Sequence, residues 1–277
     1  MAFVELLRAL LDRRAFDCRL TPDRALGTLA EAFLRDRGLL TRTADCALSS
    51  LYEACHEGPY KPGSRGFATW PATKWPWFGE LADRGYLIAA VHWGKNLLMT
   101  GEVAGLIDPI CRAEITRMRA ADPGWRRLLD HLADAGSASI EDLRTELRLK
   151  RQELNALRAP LERCGAILAR SLQVTAGAGH LHASELIRWD QAHPASSGSH
   201  ADPRQALADL IAAAVRAAVV APEREVRRWF SWRWYWTGEL IDGLVGDGRL
   251  RRVDGHVAAA AWPPRVRRPR TRLCPRR

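Results

Sequence analysis

The chain has no two cysteines spaced as C-x-x-C and no cysteine followed by a His-x-x-x-His spacing, so no zinc ribbon or zinc finger is written into it. Cys18, Cys46, Cys55, Cys111, Cys164 and Cys274 are scattered singly, which argues against a disulfide framework and leaves buried free thiols as the expectation. No stretch approaches the roughly 20 apolar residues that span a bilayer. No charged-then-apolar N-terminus with a small-residue cleavage site is present either, and a soluble, cytoplasmic protein without a membrane partner is expected. Nothing calls for a metal or a small-molecule cofactor, and none is expected. Heptad runs and a dimerisation coiled coil are missing too, and a monomer is expected.

Lysine is scarce, supplying 4 of the 42 basic residues, so the formal charge of +10 is carried by arginine. Its distribution is uneven. Residues 265 to 277 hold seven arginines and no acid, and removing them lowers the charge from +10 to +3. Pro263, Pro264, Pro269 and Pro275 exclude a helix there, which makes residues 263–277 an expected disordered tail whose Arg267, Arg268 and Arg270 can lie along an anionic polymer. The folded part is then only mildly basic, and composition alone leaves an anionic partner unproven.

What is present is a repeat. Leu81-Ala-Asp-Arg-Gly85-Tyr-Leu87, Leu161-Glu-Arg-Cys-Gly165-Ala-Ile167 and Leu244-Val-Gly-Asp-Gly248-Arg-Leu250 share the pattern Leu-x-x-x-Gly-x-(Leu/Ile), with glycines 80 and 83 residues apart. In each copy the Leu ends a helical apolar face, the Gly supplies the left-handed residue that stops a helix, and the next apolar residue starts a strand. Helices followed by a short hairpin describe a winged helix. The 277 residues suit three such modules better than one small core. The expected fold is mainly α with small β-hairpin wings, built as three tandem winged-helix domains: 1–120, 121–191 and 204–262, with a linker at 192–203.

The second module is the clearest. After the break at Pro123-Gly124, Trp125, Leu128, Leu129 and Leu132 recur at one helical face, and Ser139 with Asp142 three residues on resembles a capping box opening a short helix. A third helix from about Lys150 to Cys164 turns Leu154, Leu157 and Leu161 inward. Arg148, Lys150, Arg151 and Arg158 surround its start and outer face, the place of a recognition helix. Residues 167–175 and 180–186 flank Ala176-Gly-Ala-Gly179 as the wing.

The third module repeats the order. It has a stripe at Leu207, Leu210, Ile211, Ala214 and Val215, a helix start near Pro222, and a last helix at Leu240, Ile241, Leu244 and Val245. A hairpin then turns at Asp254-Gly255, with Arg251 and Arg252 on its first strand as candidate phosphate contacts; Lys95, in the hairpin turn of the first module, is another. The first module is less regular, with helical stretches at 3–11, 21–37 and 47–55 and a hairpin turning at Trp93-Gly94-Lys95-Asn96.

Two aromatic segments stand out. Trp70-Pro-Ala-Thr-Lys74-Trp-Pro-Trp77 is a loop that can stack on bases or pack one module against the next. Trp229, Trp232 and Trp236 share one helical face and are expected to pack as core beneath the last helix, which leaves Arg228 and Arg233 as phosphate candidates.

Ser50-Leu-Tyr-Glu-Ala54, the 70–77 loop, Gly94-Lys95-Asn-Leu-Leu98 and Phe230-Ser-Trp232 resemble, in the same order, segments of the AlkZ-like and YcaQ-like winged-helix DNA glycosylases. That resemblance spans most of residues 20 to 260. It implies three tandem winged helices clasping double-stranded DNA along a positively charged channel, with excision of alkylated purines or unhooking of crosslinks, and hence a nucleoid-associated location. Family members carry Gln-x-Gln or Gln-x-Asp after the first long helix to position water. In the similar place this chain has Leu40-Thr41-Arg42, and none of its four glutamines is followed two residues on by Gln or Asp.

No catalytic residue is therefore assigned. Asp45, Glu53, Glu80 and Glu102 are the first-module carboxylates, each read as a solvated helix or loop residue. His180-x-His182 with Glu185 is read as wing surface rather than a metal site. A non-enzymatic winged-helix regulator or chromosome-associated scaffold is the alternative to a glycosylase.

Overall fold

The computed structural model describes residues 25–42, 45–51, 77–176, 179–194 and 202–260. The 3–11 helix, Lys74 with the 70–76 part of the tryptophan loop, and the arginine-rich tail including Arg267, Arg268 and Arg270 lie outside them.

Among the described residues the chain is mainly helical with three small antiparallel sheets, and one sequence of elements recurs three times. The first unit has α1 (Ala25–Arg37), β1 (Leu39–Thr41), α2 (Trp77–Asp83), β2 (Leu87–His92) and β3 (Lys95–Met99). A long helix α3 (Gly101–Ala121) follows. The second unit has α4 (Pro123–Ala135), β4 (Ser137–Ser139), α5 (Ile140–Glu146), α6 (Arg151–Arg163), β5 (Ile167–Ala176) and β6 (Gly179–Arg188), then the single turn α7 (Trp189–Ala192). The third has α8 (Pro203–Ala218), β7 (Val220–Pro222), α9 (Glu223–Val226), α10 (Leu240–Gly246), β8 (Leu250–Val253) and β9 (His256–Ala259). Each sheet has the same order: the short leading strand pairs with the second hairpin strand, as β1-β3-β2, β4-β6-β5 and β7-β9-β8.

The repeated glycine motif has a common physical cause. Gly85, Gly165 and Gly248 take φ of +92°, +76° and +69°. In each copy the residue after the glycine donates its N–H to the motif Leu carbonyl: Tyr86 to Leu81 at 3.1 Å, Ala166 to Leu161 at 2.9 Å and Arg249 to Leu244 at 2.9 Å. The glycine N–H itself reaches Ala82, Glu162 and Val245 at 2.9, 3.1 and 3.0 Å. These paired bonds are the Schellman closure of a helix, which satisfies carbonyls that would otherwise end unpaired.

Helix caps follow the sequence chemistry. Ser139 Oγ accepts from Asp142 N at 3.1 Å, the N-cap bond of the expected capping box, while the Asp142 carboxylate accepts from the Ser139 hydroxyl at 2.7 Å rather than from its backbone N–H. Asp122 accepts from the N–H groups of Gly124 and Trp125 at 2.7 and 3.0 Å, so Pro123-Gly124 is the first turn of α4 rather than the break before it.

Three expectations need correction. Of the stretch expected as helix at 47–55, residues 47–50 are bent chain bridged to β1 at Ser50, Leu51 is helical, and 52–55 lie outside the described residues. Residues 229–236 do not form a helix either: the chain turns, and only Arg233–Tyr235 is a short 3₁₀ segment. Trp229 and Trp232 are fully buried, but Trp232 donates to the Cys164 carbonyl at 2.9 Å, so it packs between units rather than beneath α10. Helix α3 was not anticipated at all.

That helix is the scaffold of the molecule. Val103, Ile107, Ile110, Cys111, Ile115 and Met118 are buried in a core that continues into Leu128, Leu132 and Leu154 of the second unit and Leu207, Leu210 and Trp229 of the third. Its Glu114 is wholly buried yet fully bonded, taking Arg117 through both carboxylate oxygens, Trp234 Nε1 at 2.9 Å and Tyr235 Oη at 2.9 Å. A buried charge is tolerable only when so satisfied. The network ties the 3₁₀ turn to α3. Among the described residues no helix is long and apolar enough to cross a membrane.

Candidate nucleic-acid interface

The β2-β3 turn of the first unit is not free. Trp93 and Gly94 take φ of +56° and +81°, as a two-residue hairpin turn requires. The Trp93 indole N–H donates to the Arg228 carbonyl, and its backbone N–H to Ser231 Oγ at 3.2 Å. Ser231 donates from both its N–H and its hydroxyl to Val91 O at 3.0 Å. Two of the four segments behind the family resemblance, 94–98 and 230–232, thus lie at one junction.

Beside that junction the chain turns its arginines outward. Arg224, Arg227, Arg228 and Arg233 line an open hollow of about 600 Å³ together with Trp236 and Gly238. The Arg233 guanidinium lies 4.4 Å from the centre of the Trp93 ring, and that of Arg227 lies 5.4 Å from Trp236. Among the described residues none of the four forms an ion pair, and no described carboxylate lines the hollow. Four like charges held together repel one another unless an anion joins them. A planar guanidinium matches phosphate geometry, and the ring contacts hold two of the four in place.

The other candidates are dispersed. Arg148, Lys150 and Arg151 are exposed at the start of α6, with Arg148 at φ +51° and the Lys150 N–H accepted by Glu153 Oε2 at 2.7 Å. Arg158 lies 3.4 Å from Glu162 on the same helix. Arg252 is committed to Glu223 and Asp242, each at 2.7 Å, and Arg251 is half-buried on the same strand. Lys95 is bonded to Asp45. The hollow brings Arg228 and Arg233 together and adds Arg227 of the same aromatic cluster, and Arg224, which the sequence reading misses. Their signal was the density of arginine across 224–233 beside tryptophan.

Asp45 is exposed, as expected of a loop carboxylate, and it also belongs to a second cluster. His92 is 5% exposed; its Nδ1 faces the Trp229 carbonyl and its Nε2 lies 3.6 Å from Asp45 Oδ1. Asp45 Oδ2 accepts from Lys95 Nζ, and Cys46 Sγ completes a group whose ligand atoms all fall within 4.8 Å. Burial opposes charge on His92, but Asp45, the Cys46 thiol and the Trp229 carbonyl outweigh it and carry its pKa up to about 10. Burial also opposes the Asp45 carboxylate, and hydrogen bonds from His92 and Lys95 override that, holding it at about 2.

At the place where the resemblance puts a water-positioning pair, Leu40 is fully buried and Arg42 stacks 5.6 Å from the Phe78 ring. Glu80 and Glu102 are exposed, while Glu53 and the side chains of His180 and His182 lie outside the described residues. Glu185 accepts from Ser137 Oγ at 3.0 Å.

No protein-family profile matches the chain, and no curated protein matches it in sequence. Among solved structures, the DNA glycosylase AlkZ of Streptomyces sahachiroi aligns with 92% of this chain and 68% of its own length, at a TM-score of 0.54 and 15% identity. The likeness establishes a common fold with AlkZ.

Proposed function

We propose, from the fold shared with AlkZ, that this chain is a duplex-DNA-binding protein of glycosylase architecture, built as three tandem winged helices over 1–120, 121–191 and 204–262 and acting as a monomer. The observation that carries the reading is the hollow lined by Arg224, Arg227, Arg228 and Arg233, four guanidiniums with no described carboxylate among them. Exposed Arg148, Lys150 and Arg151 at the start of α6 add a second contact to the phosphate backbone. The substrate class is DNA carrying N-alkylated purines or crosslinks, in which a cationic base is already a good leaving group and the protein has only to position water and stabilise charge.

A second reading has its own support. Leu40 is buried in apolar core; the resemblance puts it where the glycosylases carry glutamine, and a leucine cannot orient water. A protein that binds DNA through the same scaffold without cutting the glycosidic bond fits that observation.

One experiment addresses both. Affinity of the full chain for a duplex containing N7-alkylguanine is measured against salt, with base release scored in parallel. Each phosphate contact adds about 0.9 to the slope of log affinity against log salt, so Arg227→Ala with Arg228→Ala should flatten it by about 2. An unchanged slope removes the hollow from the interface. Base release above a no-protein control selects the enzyme, and tight binding without release selects the scaffold.

A further inference from the structure

We propose that Asp45 Oδ1, Cys46 Sγ and His92 Nε2 bind one zinc ion, with water as the fourth ligand. The proposal is independent of DNA binding.

The donor set is the first ground. Carboxylate, thiolate and imidazole together suit a borderline divalent ion and not calcium or magnesium, which demand oxygen ligands throughout. Three protein ligands and a water make up a known class of zinc site. Two ligands each about 2.0–2.1 Å from a tetrahedral metal stand roughly 3.3 Å apart. His92 Nε2 and Asp45 Oδ1 are already at 3.6 Å, and no pair in the group exceeds 4.8 Å.

The orientation of His92 is the second ground. A carbonyl can only accept, so its contact with Trp229 O places the hydrogen on Nδ1 and presents Nε2 to Asp45 and Cys46. A backbone carbonyl bonded to the far ring nitrogen is the arrangement that fixes metal-binding histidines. Lys95 acts on Asp45 in the same way: by occupying Oδ2 it leaves Oδ1 as the single oxygen facing the cluster.

Charge is the third. An Asp carboxylate and a Cys thiolate together balance the two charges of a dication. Sequence spacing hides such a site, because adjacent Asp45 and Cys46 meet a histidine 46 residues on. An occupied site would tie the 45–50 segment to the β2 end that docks on the third unit.

The test uses the full chain, stripped with chelator and dialysed against ZnCl2 and, separately, CoCl2 as a spectroscopic stand-in. One equivalent of zinc should bind, and cobalt should give a thiolate-to-metal charge-transfer band. Loss of the groups that hydrogen-bond to metal ligands alone weakens metal sites by about 10- to 100-fold, so Cys46→Ser and Asp45→Asn should each weaken binding at least about 100-fold, and Cys46→Ser should abolish the band. Cys46 is half-buried on a bent segment, so the serine variant keeps the fold, which a thermal melt checks; His92→Gln is a second variant. Absence of stoichiometric zinc overturns the proposal. So does a Cys46→Ser protein that keeps the band, since the metal would then sit on other cysteines.

Discussion

A β-carbon placed on Gly165 would stand 2.6 Å from Cys111 Sγ, with Val91 Cγ1 at 3.3 Å and Trp232 Cζ2 at 3.6 Å closing the other sides. Gly165 is therefore the point where the second unit meets the first unit, α3 and the third unit at once. Gly85 and Gly248, which close helices in the same way, have nothing within 4 Å of that position. Alanine at Gly85 or Gly248 meets only the left-handed backbone and should cost about 1–2 kcal/mol. At Gly165 overpacking adds about 1–3 kcal/mol. Urea melts of the three variants should rank Gly165→Ala well below the others, and equal losses would mean that the junction yields.

A second positive-φ position recurs before each leading strand. Gly38 and Gly136 both take φ of +80°, but the third unit places Val219 there at φ +68° and ψ −54°. A β-branched residue in that region is strained by about 1–3 kcal/mol. Val219→Gly relieves the strain, offset by about 0.5–1 kcal/mol of backbone entropy and by lost packing of a half-buried side chain. The expected net is a stabilisation of about 1 kcal/mol, read as a raised urea midpoint at unchanged m-value.

Sequence made the repeat legible because helix closure depends on local chemistry: a Leu facing the core, a glycine at positive φ and an apolar residue returning to a strand. The wings at 167–188 and 250–259 follow from the same local rules. Helix α3 carries local signals, Thr100 as its N-cap and Val103, Ile107, Ile110 and Cys111 at helical spacing, but a Pro inside it at 109 and its place between repeats conceal it. The tryptophans at 229, 232 and 236 have a helical period by coincidence; partners 68 and 138 residues away, Cys164 O for Trp232 and Trp93 N–H for Ser231, decide the path of the segment. The candidate interface was half legible. Arginine density pointed to 224–233, but that Arg252 is neutralised and Lys95 is bonded to Asp45 are facts of tertiary placement.

Cys111 and Cys164 should be unreactive in the native protein. Burial, with Glu114 nearby, pushes the Cys164 thiol from its ordinary 9.0 up to about 12, and burial pushes Cys111 well above its own. For Cys164 that is about a thousandfold less thiolate at pH 8. Peptide mapping after iodoacetamide treatment should find both labelled only once urea unfolds the chain. Native labelling as fast as in urea would place them at a mobile surface.

Arg252 and Arg228 are both exposed arginines of the third unit, and they should separate cleanly. Arg252 joins Glu223 of α9 to Asp242 of α10, so its charge is already met, while Arg228 opens onto the hollow. Arg228→Ala should lower the salt slope of DNA binding by about 1, and Arg252→Ala should leave it unchanged. Stability should respond the other way. Arg252, by hydrogen bond and charge, holds the Glu223 carboxyl below its ordinary 4.5. A carboxyl lowered in the folded state adds stability that is present above 4.5 and is lost as pH falls through the folded value. Arg252→Ala removes that contribution, so melts between pH 7 and pH 3 should show the variant losing less stability on acidification than the parent, whereas Arg228→Ala should track it. A slope change with Arg252→Ala would mean that DNA competes successfully with Glu223 and Asp242 for the guanidinium, and would extend the interface from the hollow onto the β8 strand.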